Sequence, residues 1–263
     1  MANINSTRYT ILFATTVCVV CAALVATAAV SLKPAQVANA RLYMEKNVLV
    51  AAGLAEHGQA MTVPEVQAVF DRAIQARLVD LATGELVPAD KMDARRYDQR
   101  AARNDPATSR AAPSNNAGIR RLPNRGLVYF IMKDGQVDQV VVPVEGPGMW
   151  GAIYGFLALA PDGNTVRGLT YYEHKETPGL GAEISNPGWL DLWRGRLGYD
   201  DKGEVAIKVI KGPAGKPEVD PHHIDGLSGA TVTGNAVTRL MQFWLSQDGY
   251  GKFLQRYREG ATS

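Results

Sequence analysis

From Tyr9 to Leu32 the chain runs for 24 residues without a charged side chain. As a helix rising about 1.5 Å per residue, this tract reaches about 36 Å, enough to cross a hydrocarbon layer of roughly 30 Å with some tilt. It predicts a single membrane anchor, closed by Lys33-Pro34, with everything downstream held beside a bilayer. A cleaved signal peptide is the competing reading, with Ala38-Asn39-Ala40 as a small-residue cleavage site. The apolar run is far longer than a signal core, however, and Ala40 lies well beyond its end. Arg8 on one flank against Lys33, Arg41 and Lys46 on the other leaves the orientation open. The span holds no charged residue and so offers no cation route through the membrane. Cys18 and Cys21 both lie inside it, with no His or further Cys nearby, and read as passive apolar residues.

A chain of 263 residues has room for one large domain or two small ones, and its formal net charge of +2 selects no class of partner. Ala35 to Ala60 predicts a helical stalk interrupted at Gly53. Thr62 and Glu65 have capping-box spacing and open a helix whose apolar residues, from Val66 to Leu78, keep a helical period until the turn Thr83-Gly84-Glu85. Between Lys91 and Arg125 nine basic residues stand against three acidic ones. With only Tyr97 to stack on a base and no recognition motif, nucleic acid is not the expected partner; a solvated loop that docks on other subunits or anionic headgroups is.

Beyond Arg125 the pattern turns to strands. Val128, Phe130 and Met132 alternate with Tyr129 and Ile131, Asp134-Gly135 marks a tight turn, and Val137 to Val144 returns. Ile153 to Leu159 is a further strand or short helix, Asn164 to Glu173 and Val205 to Ile210 are strands, and Asn186-Pro187 opens a short helix through Arg196. Hairpin-like strands with a few helices indicate an α+β fold with an antiparallel sheet.

Three glycine-dense pieces interrupt this pattern: Glu145 to Gly151, Glu176 to Gly181, and Asp225 to Thr231. Glycine lets the backbone approach a flat ligand and accepts positive φ. The last piece feeds an amphipathic helix carrying Val237, Leu240, Met241, Trp244 and Leu245 on one face, with Ser228 and Thr231 at the capping positions. Free N–H groups and the positive end of the helix dipole make such a start a phosphate site.

Asp225-Gly226-Leu227-Ser228-Gly229-Ala230-Thr231 resembles the flavinylation motif of the FMN-binding domain family. Together with Glu-Gly-Pro-Gly-Met-Trp-Gly and Glu-Thr-Pro-Gly-Leu-Gly, it is similar to the C subunits of the sodium-translocating NADH:quinone reductases. The likeness covers nearly the whole chain, and its one departure is Met149 before Trp150, where Leu is usual. The G subunit of the related nitrogen-fixation-type electron-transport complex shares two of the three elements. It is the alternative, along with an anchored non-redox module that binds a phosphorylated ligand reversibly.

The resemblance implies that a separate flavin transferase esterifies Thr231 to the phosphate of FMN. It also implies that Ser228, Gly229 and Ala230 surround that phosphate, and that Asp225 shapes and presents the motif. Thr177, Gly179, Leu180 and Gly181 would lie along the flavin ring, with Trp150 as a stacking partner. His174, His222 and His223 stay outside the site, and neither a metal nor a residue catalysing chemistry alone is expected.

The domain plan is a polar tail (1–8), a transmembrane helix (9–32), a stalk with a helical region and basic insertion (33–125), and an FMN-binding domain (126–263). The implied complex of several subunits oxidises NADH, reduces ubiquinone and pumps sodium across a bacterial inner membrane, with this soluble domain on the periplasmic side. This chain has no glycine-rich nucleotide fingerprint of the Rossmann type, so NADH oxidation falls to its partners.

Overall fold

The computed structural model describes residues 6–260. They form two compact units, one ending at Met44 and the other beginning at Glu45. Helix α1 (Thr7–Ala51) supplies both. Its first part holds the apolar tract, exposed from Thr7 to Arg41 and long and apolar enough to cross a membrane. The helix does not stop at Lys33-Pro34, because one proline removes a single donor and crowds a single turn of a 45-residue helix. It ends at Ala51, just before Gly53 at φ +71°.

In the second unit, α2 (Val63–Ala73) starts with the expected capping box: the Thr62 N–H donates to Glu65 Oε2 at 2.7 Å. It is shorter than the sequence suggests, since Ile74–Asp80 forms strand β1. Ile74 and Leu78 are four residues apart, a spacing that satisfies one face of a helix and one face of a strand equally. Antiparallel pairing with β4 (Arg125–Lys133), Leu78 opposite Leu127, settles it for strand. The sheet continues antiparallel through β5 (Gln136–Pro147), β6 (Ala152–Leu159) and β7 (Val166–Glu173), in the order β1-β4-β5-β6-β7. The β4–β5 hairpin turns through Asp134 (φ 51°) and Gly135 (φ 79°), left-handed at both positions, as the Asp-Gly pair requires.

The middle strands are buried on both faces. Phe130 packs edge-on to Phe253 of α6 (Gly251–Arg258), while Tyr129 meets Phe70 of α2 on the other side. The last turns of α1 lie over β7 so closely that a Cβ on Gly168 would stand 2.2 Å from the Ala51 carbonyl oxygen. Helix α5 (Thr231–Leu245) buries Val237, Leu240, Met241, Trp244 and Leu245, the face its periodicity predicts. Each such side chain contributes roughly 1.5–3 kcal/mol relative to exposure. The Trp244 indole N–H donates to the Glu145 carbonyl at 2.7 Å, fixing α5 to β5.

The basic stretch is not a solvated loop. It forms α3 (Gln99–Asn104) and a small antiparallel pair, β2 (Ser109–Ala111) with β3 (Arg121–Pro123). Buried Gln99 accepts from the Leu127 N–H at 2.8 Å. Arg100 reaches Glu173 at 2.7 Å and Arg103 reaches Glu145 at 2.8 Å. These two arginines are held by sheet-borne carboxylates, partners that no local pattern announces. Two short segments complete the unit: α4 (Pro187–Asp191), ending earlier than Arg196, and the parallel pair β8 (Lys208–Val209) with β9 (His223–Ile224).

Candidate functional site

Strands β8 and β9 set the approach to α5. Val209 donates its N–H to Thr238 Oγ1 at 2.9 Å, holding β8 along the helix. After β9 the chain passes beneath the loop following β8. Gly226 donates to the Gly212 carbonyl at 2.8 Å, and a Cβ there would lie 2.3 Å from the Ile210 carbonyl oxygen. Only glycine allows that approach. Gly229 then turns at φ +69°, and Ala230, buried, is the N-cap residue.

Ser228 and Thr231 were expected as capping residues, and neither caps. Ser228 sits in the turn, Thr231 is the first helical residue, and no side chain caps α5. The first helical bond runs from the Gly234 N–H to the Ala230 carbonyl. The N–H groups of the helical residues before it therefore stay available to a ligand at the positive end of the helix dipole. A capping hydroxyl would be engaged with its own backbone, whereas Thr231 is exposed. It stands on the wall of a cavity of about 400 Å³ that Ser228, Gly229, Gly226, Lys211 and Asn235 also line. Lys211 brings a positive charge that sequence reasoning missed. It belongs to the segment after β8, and only the parallel β8–β9 pairing carries it to the motif.

Asp225 is occupied structurally: its Oδ1 accepts the Ala214 N–H at 2.9 Å and its carbonyl accepts the Trp189 indole N–H at 3.0 Å. The Thr177–Gly181 segment arrives alongside. The Thr177 carbonyl accepts from the N–H groups of Leu180 and Ala182, with Gly179 at φ +73° in the turn. Leu180 Cδ2 covers Gly229, where an added Cβ would stand 2.9 Å away. Gly181 is buried against Thr233 Oγ1, 2.6 Å from where its Cβ would be. Trp150 lies further off. It is 63% exposed and lines a separate cavity of about 580 Å³ with Arg103, Arg120, Arg121 and Trp244.

Glu176 joins these pieces, and sequence reasoning gave it no role of its own. Its Oε1 accepts the N–H groups of Met149 (2.9 Å) and Trp150 (3.1 Å), and its Oε2 accepts Thr233 Oγ1–H at 2.5 Å. Two glycine-dense segments and the helix that follows the third thus meet at one buried carboxylate. At the far end of the Trp150 loop, burial pushes the Glu145 carboxyl above the usual carboxylate range, against the opposing pull of Arg103 and Arg100.

The histidines stand elsewhere. His222 faces the Leu197 carbonyl, His223 pairs with Asp220 at 2.8 Å, and His174 meets Ser185. Among the described residues no three His, Cys, Asp or Glu side chains converge on a metal position. Around Thr231 the exposed apolar side chains are Leu180 and Val232, with Met149 and Trp150 on the loop that Glu176 holds.

The antiparallel sheet, backed by a helix whose uncapped start overlooks a glycine-lined cavity, carries a flavin-binding class of domain: residues 148–246 match the FMN-binding domain family. Similarity to known proteins extends over the whole length. The C subunit of the Na(+)-translocating NADH-quinone reductase of Pseudomonas aeruginosa is 44% identical, covering 99% of both chains. That of Vibrio parahaemolyticus is 45% identical, covering 93% of this chain and 92% of its own. The crystal structure of Shewanella oneidensis NqrC superposes with a TM-score of 0.76 at 36% identity, over 84% of this chain and 99% of that one. The chain belongs to the family of Na(+)-translocating NADH-quinone reductase C subunits.

Proposed function

We propose that this chain is the membrane-anchored electron-transfer subunit of such a reductase and carries FMN through a phosphoester on the Thr231 hydroxyl. The observation that carries the proposal is the threonine itself: exposed, first in an uncapped helix, and on the wall of a cavity large enough for a nucleotide headgroup. The residues fit the group. The N–H groups of the first turn of α5, with Lys211, would offset the phosphate charge. Gly226 and Gly229 leave the backbone open, and Leu180 would offer an apolar surface to the ring. Thr rather than Ser adds a γ-methyl that restricts χ1 and fixes the direction of the ester oxygen. FMN, when bound, supplies reversible electron uptake; the protein supplies its attachment, orientation and electrostatics.

Forming the ester removes the hydroxyl proton of Thr231 and displaces the leaving group of an activated flavin phosphate, a reaction assigned to a separate flavin transferase. The complex would oxidise NADH, reduce ubiquinone and move sodium across a bacterial inner membrane, with this domain on the periplasmic side. A span without charged residues is consistent with ion passage through the other subunits of such a complex.

The test is denaturing electrophoresis of the full chain co-expressed with a flavin transferase and viewed under ultraviolet light. The wild type is expected to give a fluorescent band and Thr231→Val none. A band of undiminished intensity in the variant removes Thr231 from the proposal.

A further inference from the structure

We infer that Glu176 is a positioning residue for the flavin site: its carboxylate locks the Trp150 loop to the flavin-bearing helix and sets a fixed negative charge at their junction. The inference rests on the assignment of FMN to Thr231 and goes beyond it, to a residue outside both the phosphate-side cavity and the attachment motif.

The geometry is that of a clamp. Glu176 is 5% exposed, and every hydrogen bond of its carboxylate is one it accepts: two from the consecutive backbone N–H groups of Met149 and Trp150, one from Thr233. Oε1 meets two backbone N–H groups that can only donate and Oε2 meets the Thr233 hydroxyl, so an acceptor-only carboxylate satisfies every partner at the junction. Among the described residues no Lys, Arg or His forms an ion pair with it. Hydrogen bonds alone therefore hold the side chain at the junction, and an amide would reproduce most of them at little structural loss.

The space around the carboxylate is equally specific. A Cβ on Gly148 would lie 2.5 Å from Oε1, and one on Gly181 would lie 2.8 Å from Oε2. Glycines on both sides thus admit the carboxylate to the point where the two loops meet the helix. The helix residue at that point is Thr233, buried on the inner side of the turn that Thr231 opens. Through it the separation between the attachment point and the Trp150 backbone is held by a short, rigid path of two hydrogen bonds. Without the clamp, the loop carrying the exposed indole has no other hydrogen bond linking it to α5 between Gly148 and Gly151 among the described residues.

The experiment uses the full chain in detergent, matured with a flavin transferase. Trp150 is 63% exposed while Trp189, Trp193 and Trp244 are buried, so acrylamide quenching reports on Trp150. Glu176→Gln keeps an acceptor oxygen and removes the charge. It is expected to retain the fluorescent band and the wild-type quenching, while the flavin potential shifts positive by about tenfold in the reduction equilibrium, ~59 mV for one electron. Glu176→Ala removes the clamp, and its Trp150 is expected to quench about twice as readily as the wild type. Thr233→Val, which removes one donor and leaves the charge, serves where the alanine variant fails to fold; it is expected to raise the quenching with the potential closer to wild type. An unchanged potential in Glu176→Gln together with unchanged quenching in the other folded variant overturns the inference. A wild-type chain without covalent flavin instead overturns the Thr231 assignment, and quenching of the flavin-free chain still tests the clamp.

Discussion

Replacing Arg103 with Met tests whether the basic insertion is a structural part of the sheet. Met keeps most of the aliphatic stem and removes the guanidinium that stands 2.8 Å from Glu145, a carboxylate whose side chain is only 6% exposed. Removing one partner of a buried pair typically costs about 3–5 kcal/mol, because the other charge stays behind in a dry site. Arg100 still acts on Glu145, which places the expected loss near the lower end, about 3 kcal/mol.

The effect has a definite pH dependence. Burial already holds the Glu145 carboxyl above its unfolded value. The folded chain therefore keeps that proton where the unfolded chain has lost it, and stability from this group declines as pH rises through the window between the two values. Arg103 pulls the folded value down, so its removal extends the window upward. The gap between wild type and variant should be smallest at acidic pH and widest at alkaline pH, where about 3 kcal/mol corresponds to a fall in Tm of about 6–12 °C for a unit of this size. Thermal unfolding in detergent across that range, followed by near-ultraviolet circular dichroism, measures it. Adding Glu145→Gln should recover much of the loss. A deficit below about 1 kcal/mol at the alkaline end of the range, or one that narrows as pH rises, refutes the reasoning.

Two further substitutions probe the frame around the site. Gly226→Ala sets a methyl group against the Ile210 carbonyl oxygen and should destabilise the unit by about 1–3 kcal/mol while lowering flavin incorporation, read from Tm and in-gel fluorescence. Wild-type incorporation would show that the close passage beneath Ile210 is unimportant. Tyr250→Phe removes a fully buried hydroxyl that donates to the Leu127 carbonyl at 2.9 Å, and should cost about 1–2 kcal/mol in urea denaturation with flavin incorporation unchanged. A neutral result would mean that this bond adds nothing to the packing of its ring.

Much of the fold was legible because its signals are local. The helical period of α5, the Asp-Gly hairpin and the capping box of α2 each lie within a few residues, where backbone geometry couples neighbours directly. The errors fall where a local pattern was ambiguous or a distant partner decided the outcome. Ile74 and Leu78 fit two periods, and pairing with β4 chose one. The arginines of the insertion looked solvent-bound until carboxylates on β5 and β7 took two of them.

At the site the same division holds. The sequence alone determined an uncharged tract long enough to span a bilayer, an amphipathic last long helix, and glycine-dense turns ending in a threonine at its start. Tertiary structure decided that this threonine leaves the helix uncapped, that Lys211 reaches its cavity, and that Trp150 belongs to a neighbouring one. It also decided the meeting at Glu176, whose partner Thr233 is 57 residues away along the chain. Periodicity and turn chemistry act between near neighbours and leave a trace in the order of residues. A hydrogen bond closed across such a separation exists only once the sheet and helix have packed, and no short stretch of sequence records it.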